Sequence, residues 1–207
     1  LFVGHGAPTL ALDAVKGEAF RALGAELDPV RAVLVVSAHW ERAPITVGTV
    51  GTRPLMYDFY GFPPPLYRVQ YPSPGASELA TQVTSLLTAR AEPTRALDHG
   101  VWTPLVHMFP KADRPVLQVS MPSAEGPRAV FELGQKLAGL RDEGVLLMGS
   151  GNVTHNLRAI APDGSEPRAV FGEFDAWAKE RLDARDFDAL IDAKHKAPSY
   201  LQNHPTD

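Results

Sequence analysis

Short apolar runs along the chain predict the strands of a buried sheet. Each run is bounded by Gly, Ser or His, and apolar positions do not alternate with polar ones within it. Strands that are apolar on both faces are typical of parallel sheets that helices cover on both sides. The predicted strands are residues 1–3, 32–36, 116–119 and 145–148.

Between these runs, apolar residues recur at helical spacing, which predicts amphipathic helices. The alternation of strands and helices indicates right-handed βαβ units. We therefore predict the α/β class, with a single-domain α/β/α layered fold around a mostly parallel sheet that takes up residues 1–207. The predicted helices are residues 78–90, 129–140, 171–182 and 187–195.

Residues 52–74 differ from the rest of the chain because they are rich in proline and aromatic residues. Repeated prolines do not fit a helix, so we interpret the segment as a long ordered excursion with a short strand near residues 67–71. Such loops are often binding loops, and aromatic side chains with polar tips suit a flat ring as ligand. Packing of the loop by its own side chains is an equal alternative. The aromatic residues that we predict to bind a ligand are Tyr57, Tyr60 and Phe62.

Composition narrows the chemistry and the partners. The 207 residues suffice for one hydrophobic core, and the chain has no cysteine, so any metal would be held by His, Asp or Glu. The net charge of −4 and the lack of a Lys/Arg block argue against nucleic acid or an anionic membrane as main partner. No apolar run approaches the ~20 residues of a membrane span and no signal-peptide pattern is present, so a cytoplasmic location is expected.

Three histidines follow predicted strands. His5 ends the first strand in a glycine-flanked turn, His39 ends the strongly apolar second one, and His155 comes shortly after a third. Ligands of α/β sheets bind outside the carboxyl ends of parallel strands, so side chains that leave there can converge. One histidine at such a place is more often a cap or a satisfied buried group. Three of them favour a site for Fe(II) or Zn(II), both of which imidazole suits.

A fourth histidine, His99, lies just before a short helix predicted over residues 105–109. Thr103 and Pro104 would be the N-cap and first residue of that helix. A histidine ahead of a helix start points into a crevice, where its charge is easily tuned. A turn histidine bonded to the backbone is an equal alternative. His107, within the helix, is expected to be structural or exposed.

Five stretches in a fixed order span nearly the whole chain: residues 4–8 (GHGAP), 37–41 (SAHWE), 57–63 (YDFYGFP), 97–100 (LDHG) and 149–157 (GSGNVTHNL). Together they resemble the LigB-type (class III) extradiol ring-cleavage dioxygenases, and within these the 4,5-DOPA dioxygenase-like branch. The resemblance implies a catalytic domain, an oxidoreductase that opens the ring of a catechol with O2 at a non-haem metal. Fe(II) is the metal implied for activity, and Zn(II) is the alternative bound metal.

The resemblance also implies roles for single residues. His5 and His39 match metal ligands of the family, and His155 matches either a further ligand or an acid–base histidine. His99 matches a pocket histidine that contacts substrate or dioxygen-derived groups. We thus predict His5, His39 and His155 as metal ligands, with His155 as base and His99 as partner acid or oxyanion stabiliser. Such assistance typically contributes ~10²–10⁴ in rate.

The chain departs from the family pattern at its C-terminus. Members continue past a His-Pro segment into a His-containing stretch that helps complete the metal site, whereas this chain stops at Asp207. Because it also begins at Leu1 without Met, we expect both termini to be trimmed. The last ligand would then be His204 or a residue beyond Asp207. No carboxylate stands out as a third ligand.

Two other classes of protein fit the same histidines. In a zinc hydrolase they would hold zinc and a water that attacks an ester or amide. In a non-catalytic binding or metal-storage protein they would hold metal without turnover. Oxygen consumption would distinguish a ring-cleaving dioxygenase from both of these classes. The sequence does not name the catechol or the oligomeric state, and Arg53, Arg68 and Lys111 are open candidates to pair with a substrate carboxylate.

Overall fold

The computed structural model of the protein describes residues 1–27, 29–48, 54–162, 164–166 and 168–205. They belong to two compact units, Leu1–Gly151 and Asn152–Asp207. The single domain stays a prediction. Thr52 and Arg53, at the start of the predicted excursion, lie outside the described residues.

A six-stranded sheet forms the centre of the first unit, in the order β1-β6-β2-β5-β3-β4. Its strands pair in parallel except β3 with β5, so the predicted mostly parallel sheet is confirmed. The four predicted apolar runs form the four adjacent strands β1, β6, β2 and β5. The strands are β1 (Phe2–Gly4), β2 (Ala32–Glu41), β3 (Thr46–Val47), β4 (Arg90–Ala91), β5 (Val116–Met121) and β6 (Val145–Gly151).

Helices cover both faces of this sheet because both faces of its central strands are apolar. Val35 of β2 packs in one core cluster with Trp102 of α3. Leu34, on the opposite face, packs in a second cluster with Val83 of α2 and Leu133 of α4. Full burial of each such side chain contributes about 1.5–3 kcal/mol. The predicted α/β/α layering is therefore found in this unit. Its helices are α1 (Gly17–Glu26), α2 (Ser77–Leu87), α3 (His99–Met108) and α4 (Pro127–Leu137).

Helix α3 begins six residues earlier than the sequence indicated, since it starts at His99 rather than at residue 105. Its N-cap is Asp98, whose carbonyl accepts from the backbone N–H groups of Val101 and Trp102 at 2.9 and 3.1 Å. Pro104 lies inside the helix and not at its first turn. The prediction was wrong because Pro104 does not mark the start of the helix. A proline can lie inside a helix when another group donates to the carbonyl that its missing N–H leaves without a partner.

The short strand predicted near residues 67–71 is also wrong. Residues Pro64–Arg68 form a 3-10 helix, with proline at its first positions. Proline fixes φ near −65°, which suits the start of a helical turn as well as an extended segment. The aromatic composition therefore did not determine the local backbone here.

The longer elements described in the second unit are helices, which begin at Ala169. The predicted helix over 171–182 is confirmed as α5 (Ala169–Asp183), and Phe174 is its most buried side chain. The predicted helix over 187–195 is interrupted at Asp192, which gives α6 (Phe187–Ile191) and α7 (Ala193–Lys196). Helix α8 (Tyr200–Asn203) follows. None of the described helices is long and apolar enough to cross a membrane.

Candidate metal centre

The ends of β1 and β2 reach one edge of the sheet because β6 lies between them in parallel register. Gly4 of β1 pairs with Gly151, and Ser37 of β2 pairs with Ser150. The backbone N–H of His5 extends the ladder by donating to the carbonyl of Gly151 at 3.2 Å. Side chains that follow β1 and β2 therefore meet at the carboxyl edge, as the sequence predicted for His5 and His39.

Three imidazoles converge at this edge: those of His5, His39 and His99. One ring nitrogen of each lies within 4.8 Å of the corresponding nitrogens of the other two. The Nε2 atoms of His5 and His39 are 3.0 Å apart. Ring centroids are 4.9 Å apart for His5 and His39, 5.3 Å for His5 and His99, and 3.9 Å for His39 and His99. His5 and His99 are buried, whereas the side chain of His39 is 29% exposed.

Ser150 lies beside the Nδ1 side of the His5 ring. The Ser150 hydroxyl donates to the carbonyl of Gly100, so its oxygen is left to accept. The Nδ1 atom of His5 lies 2.9 Å from that oxygen. Nδ1 of His5 thus faces the Ser150 oxygen, and Nε2 of His5 faces Nε2 of His39.

Asp58 lies behind His99 in the same way. One carboxylate oxygen accepts from both the backbone N–H and Nδ1 of His99, at 3.0 and 2.9 Å. The other oxygen lies 3.7 Å from Nδ1 of His39. Burial alone would raise the pKa of Asp58, but the hydrogen bonds from His99 outweigh it and hold the pKa of this carboxyl below its usual value. Asp58 therefore lies on the Nδ1 sides of both rings and is hydrogen-bonded to that of His99.

A second carboxylate, Asp98, fixes the backbone on which His39 and His99 are carried. It is fully buried and accepts from the Ser37 hydroxyl at 2.8 Å and from Arg95 at 3.1 Å. The Ser37 oxygen in turn accepts from the backbone N–H of His39 at 3.2 Å. Arg95 also donates to the carbonyl of His39 at 3.3 Å. The end of β2 and the start of α3 are thereby joined through one buried ion pair.

The donor set fits a divalent metal ion. Lone pairs on two Nε2 atoms 3.0 Å apart repel one another unless a proton or a cation lies between them. Two nitrogens each about 2.1 Å from one ion, at roughly a right angle, would be separated by about this distance. Imidazole nitrogens held by outer partners such as Ser150 and Asp58 are the usual arrangement of ligating histidines. The three-histidine cluster is therefore able to hold a metal, and its donors do not specify which one.

The remaining histidines of the sequence analysis each have partners within their own unit. His155 belongs to the second unit, where its backbone N–H donates to the carbonyl of Asn203 at 2.9 Å; its role as ligand and base stays a prediction. His204 is in the same unit, and its Nε2 lies 2.9 Å from the carbonyl of Val153. His107 is buried and structural, as expected.

The aromatic residues predicted to bind substrate differ in their surroundings. Tyr57 donates its hydroxyl to the carbonyl of Val69 at 2.6 Å and lines a pocket of about 330 Å³ with residues 54, 55 and 69–72. Tyr60 is 93% exposed. Phe62 packs with Phe59 at a centroid distance of 5.2 Å. Phe59 is the one of these rings that meets the cluster, edge-on to His99 at 5.6 Å. Substrate binding by Tyr57, Tyr60 and Phe62 stays a prediction.

The sequence did not single out Asp58, Asp98 or Ser150. Asp58 is the only acidic residue in the aromatic stretch 57–63, and that was the available signal. Ser150 sits between two glycines at the end of β6. Asp98 immediately precedes His99 in the stretch 97–100. Each of these three residues supports a histidine of the cluster through tertiary contacts, which spacing along the sequence does not reveal.

Fold and site together define a class: an α/β protein with a three-histidine cluster able to hold a metal ion at the carboxyl edge of a mostly parallel sheet. Residues 16–207 match the family described as the catalytic LigB subunit of aromatic ring-opening dioxygenase. The chain belongs to the LigB family.

Named relatives agree with this assignment. The chain is 38% identical over 217 residues to a 4,5-DOPA dioxygenase extradiol of Beta vulgaris, covering 99% of this chain and 80% of that protein. It is 40% identical over 188 residues to a protein of the same name from Escherichia coli K12, covering 88% and 69%. The crystal structure of the uncharacterized protein JW3007 from Escherichia coli K12 matches with a TM-score of 0.79 and 32% identity, over 99% of this chain and 82% of that one.

Proposed function

We propose that the protein is an extradiol dioxygenase that cleaves the ring of a catechol, DOPA-like or a related aromatic diol, with O2 at a non-haem Fe(II) site. The observation that carries the proposal is the convergence of His5, His39 and His99 at the carboxyl edge, in a chain of the LigB family. Relatives named 4,5-DOPA dioxygenase extradiol motivate the choice of substrate class.

We assign His5 and His39 as protein ligands of the ion, with His155 as the further ligand or base predicted from the sequence. Fe(II), when bound, would pass electron density from the closed-shell catechol to triplet O2 and would lower the pKa of the catechol hydroxyl. Imidazole ligands also accept Zn(II), so zinc in a preparation would not contradict the site.

His99 is assigned the proton-handling role. Its Nδ1–H is directed at Asp58, so Nε2 has a free lone pair that takes a proton from a catechol hydroxyl and returns it later. The Asp58 carboxylate stabilises the imidazolium formed in between. Phe59, edge-on to the His99 ring, adds apolar surface beside the reacting groups and keeps water away from them.

The test is oxygen uptake by the protein loaded anaerobically with Fe(II). With DOPA and a panel of catechols, we expect O2 consumption in step with a yellow ring-opened product. His39→Ala is expected to lose turnover, whereas His107→Ala, a buried histidine outside the cluster, keeps it. No oxygen uptake with any catechol by the folded, iron-loaded protein would remove the assignment; ester or amide hydrolysis in its place would support the zinc hydrolase.

A further inference from the structure

The serine behind His5 is held in place by an irregularity of helix α3. In an α-helix the carbonyl of Gly100 would accept from the N–H of residue 104. That residue is Pro104, which has no N–H. The buried carbonyl accepts instead from the hydroxyl of Ser150. The proline inside the helix therefore makes a backbone acceptor available to the sheet strand β6.

This acceptor fixes the direction of a short hydrogen-bond chain. A serine hydroxyl has one hydrogen, and here it is directed at Gly100. The oxygen that remains can only accept, and the group beside it is Nδ1 of His5 at 2.9 Å. Both Ser150 and His5 are almost fully buried, at 3% and 2% exposure, so water does not offer an alternative partner.

The opposite tautomer of His5 would break this chain at Ser150. With its proton on Nε2, His5 would need the hydroxyl of Ser150 as a donor to Nδ1, and the carbonyl of Gly100 would lose its partner in a buried place.

We propose that Ser150 is a positioning residue that keeps His5 in the Nδ1–H tautomer, through the carbonyl of Gly100 that Pro104 leaves free. The effect of Ser150 on metal binding rests on the proposed function, whereas its effect on the tautomer of His5 does not. An outer partner of this kind typically changes metal affinity by ~10- to 100-fold when it is removed.

The experiment measures the tautomer of His5 and the Zn(II) affinity of the protein separately. The ring nitrogens of His5 are assigned in metal-free, ¹⁵N-histidine-labelled protein by long-range ¹H–¹⁵N correlation, at a pH well above the imidazole value of about 6.5. The signals of His5 are identified by their loss in His5→Gln. Zn(II) affinity is measured by competition with a chelating dye. Both measurements are made on wild type, Ser150→Ala and Ser120→Ala.

Ser120→Ala is the matched control. Ser120 is also fully buried in the sheet, and its hydroxyl also accepts one hydrogen bond and donates another, from Thr46 N–H at 2.9 Å and to the carbonyl of Arg42 at 3.0 Å. It is therefore expected to share any general loss of stability with Ser150→Ala. It contacts none of the three histidines of the cluster through these bonds.

We expect the Nδ1–H form of His5 in wild type and in Ser120→Ala. In Ser150→Ala we expect the Nε2–H form to be populated and the Zn(II) dissociation constant to rise by about 10- to 100-fold. A wild-type His5 in the Nε2–H form overturns the proposal, even if the variant does not fold. So does a folded Ser150→Ala with unchanged tautomer and affinity. Lack of catechol turnover with the expected tautomers would overturn the proposed function alone.

Discussion

The two ends of helix α3 each carry a buried histidine, and the two histidines differ in how their ring nitrogens are used. His107, near the C-terminal end, has Nε2 at 2.7 Å from the carbonyl of Leu10 and Nδ1 at 3.4 Å from the Arg21 guanidinium. Since the guanidinium only donates, His107 accepts at Nδ1 and donates at Nε2. His99, at the N-terminal end, has Nδ1 hydrogen-bonded to Asp58, and its imidazole is one of the three in the cluster.

Burial does not distinguish these two residues, since His99 is 6% and His107 is 8% exposed. The difference lies in whether neighbouring protein groups satisfy both nitrogens or only one. A histidine with two protein partners stabilises the fold, whereas one with a single outer partner keeps a lone pair for metal or substrate. The predictions below test this contrast between the cluster end and the structural end of α3.

Alanine substitutions at the two histidines should affect different properties, kcat for His99 and the free energy of unfolding for His107. His99→Ala is expected to lower kcat by ~10²–10⁴, because it removes the proton-handling group, while Zn(II) affinity changes much less. His107→Ala is expected to leave kcat per folded protein unchanged and to lower the free energy of unfolding by about 1–3 kcal/mol, since a buried carbonyl loses its donor. Steady-state kinetics and urea unfolding check both. Loss of Zn(II) binding in His99→Ala would make His99 a ligand instead.

Two glycines permit the close approach of other elements to these histidines. A Cβ at Gly100 would lie 2.5 Å from the Ser37 oxygen and 3.0 Å from Cδ2 of His39, and a Cβ at Gly17 would lie 2.4 Å from the His107 ring. Gly100→Ala and Gly17→Ala should each cost about 1–3 kcal/mol of unfolding free energy. Only Gly100→Ala should also weaken Zn(II) binding. Equal affinity in both variants would contradict the contrast.

Removal of the charge behind His99 should weaken the cluster. In Asp58→Asn one oxygen becomes an amide donor, which cannot face an Nδ1–H, so at least one ring loses its orientation. We expect Zn(II) affinity or kcat to fall by ~10- to 100-fold. Asp142→Asn, the same change at an exposed aspartate, is the control and should match wild type. A variant at position 58 that also matched wild type would exclude an orienting role for this carboxylate.

The structural end of α3 should be sensitive to alkaline pH. Tyr71 donates its hydroxyl to the carbonyl of Phe109, the C-cap of α3, at 3.1 Å, and burial raises the pKa of this phenol well above its usual range. A raised pKa means that stability present below the unfolded value, about 10, is lost as pH rises beyond it, by about 1.4 kcal/mol per pH unit. Tyr71→Phe should have a flatter unfolding free energy above that pH. An equal slope in both proteins would assign the effect to other groups.

The strands were predictable because their signal is local. Residues 33–36 form a continuous valine and leucine run, which is typical of a strand buried on both faces, and they lie within β2. The convergence of His5 and His39 followed from the rule for carboxyl ends of parallel strands. Boundaries that depend on distant groups were not predictable. Pro104 indicated a helix start, and the hydroxyl that allows it to lie inside α3 is 46 residues further along the chain.

The supporting groups of the centre escaped prediction for the same reason. Asp58 reaches His99 across 41 residues of sequence, and Ser150 reaches His5 across 145. Such pairs arise from tertiary packing, and no periodicity in either segment encodes them. The sequence therefore indicated which histidines to consider, while the structure shows what orients them.

X-ray absorption on the protein loaded with one equivalent of Fe(II) under anaerobic conditions tests the metal centre most directly. We predict imidazole scattering from at least two histidines at about 2.1 Å from the iron, lost when His5 and His39 are both replaced by alanine and retained in His107→Ala. A first shell made only of oxygen, or a spectrum unchanged by the double replacement, would contradict a centre built on these two imidazoles.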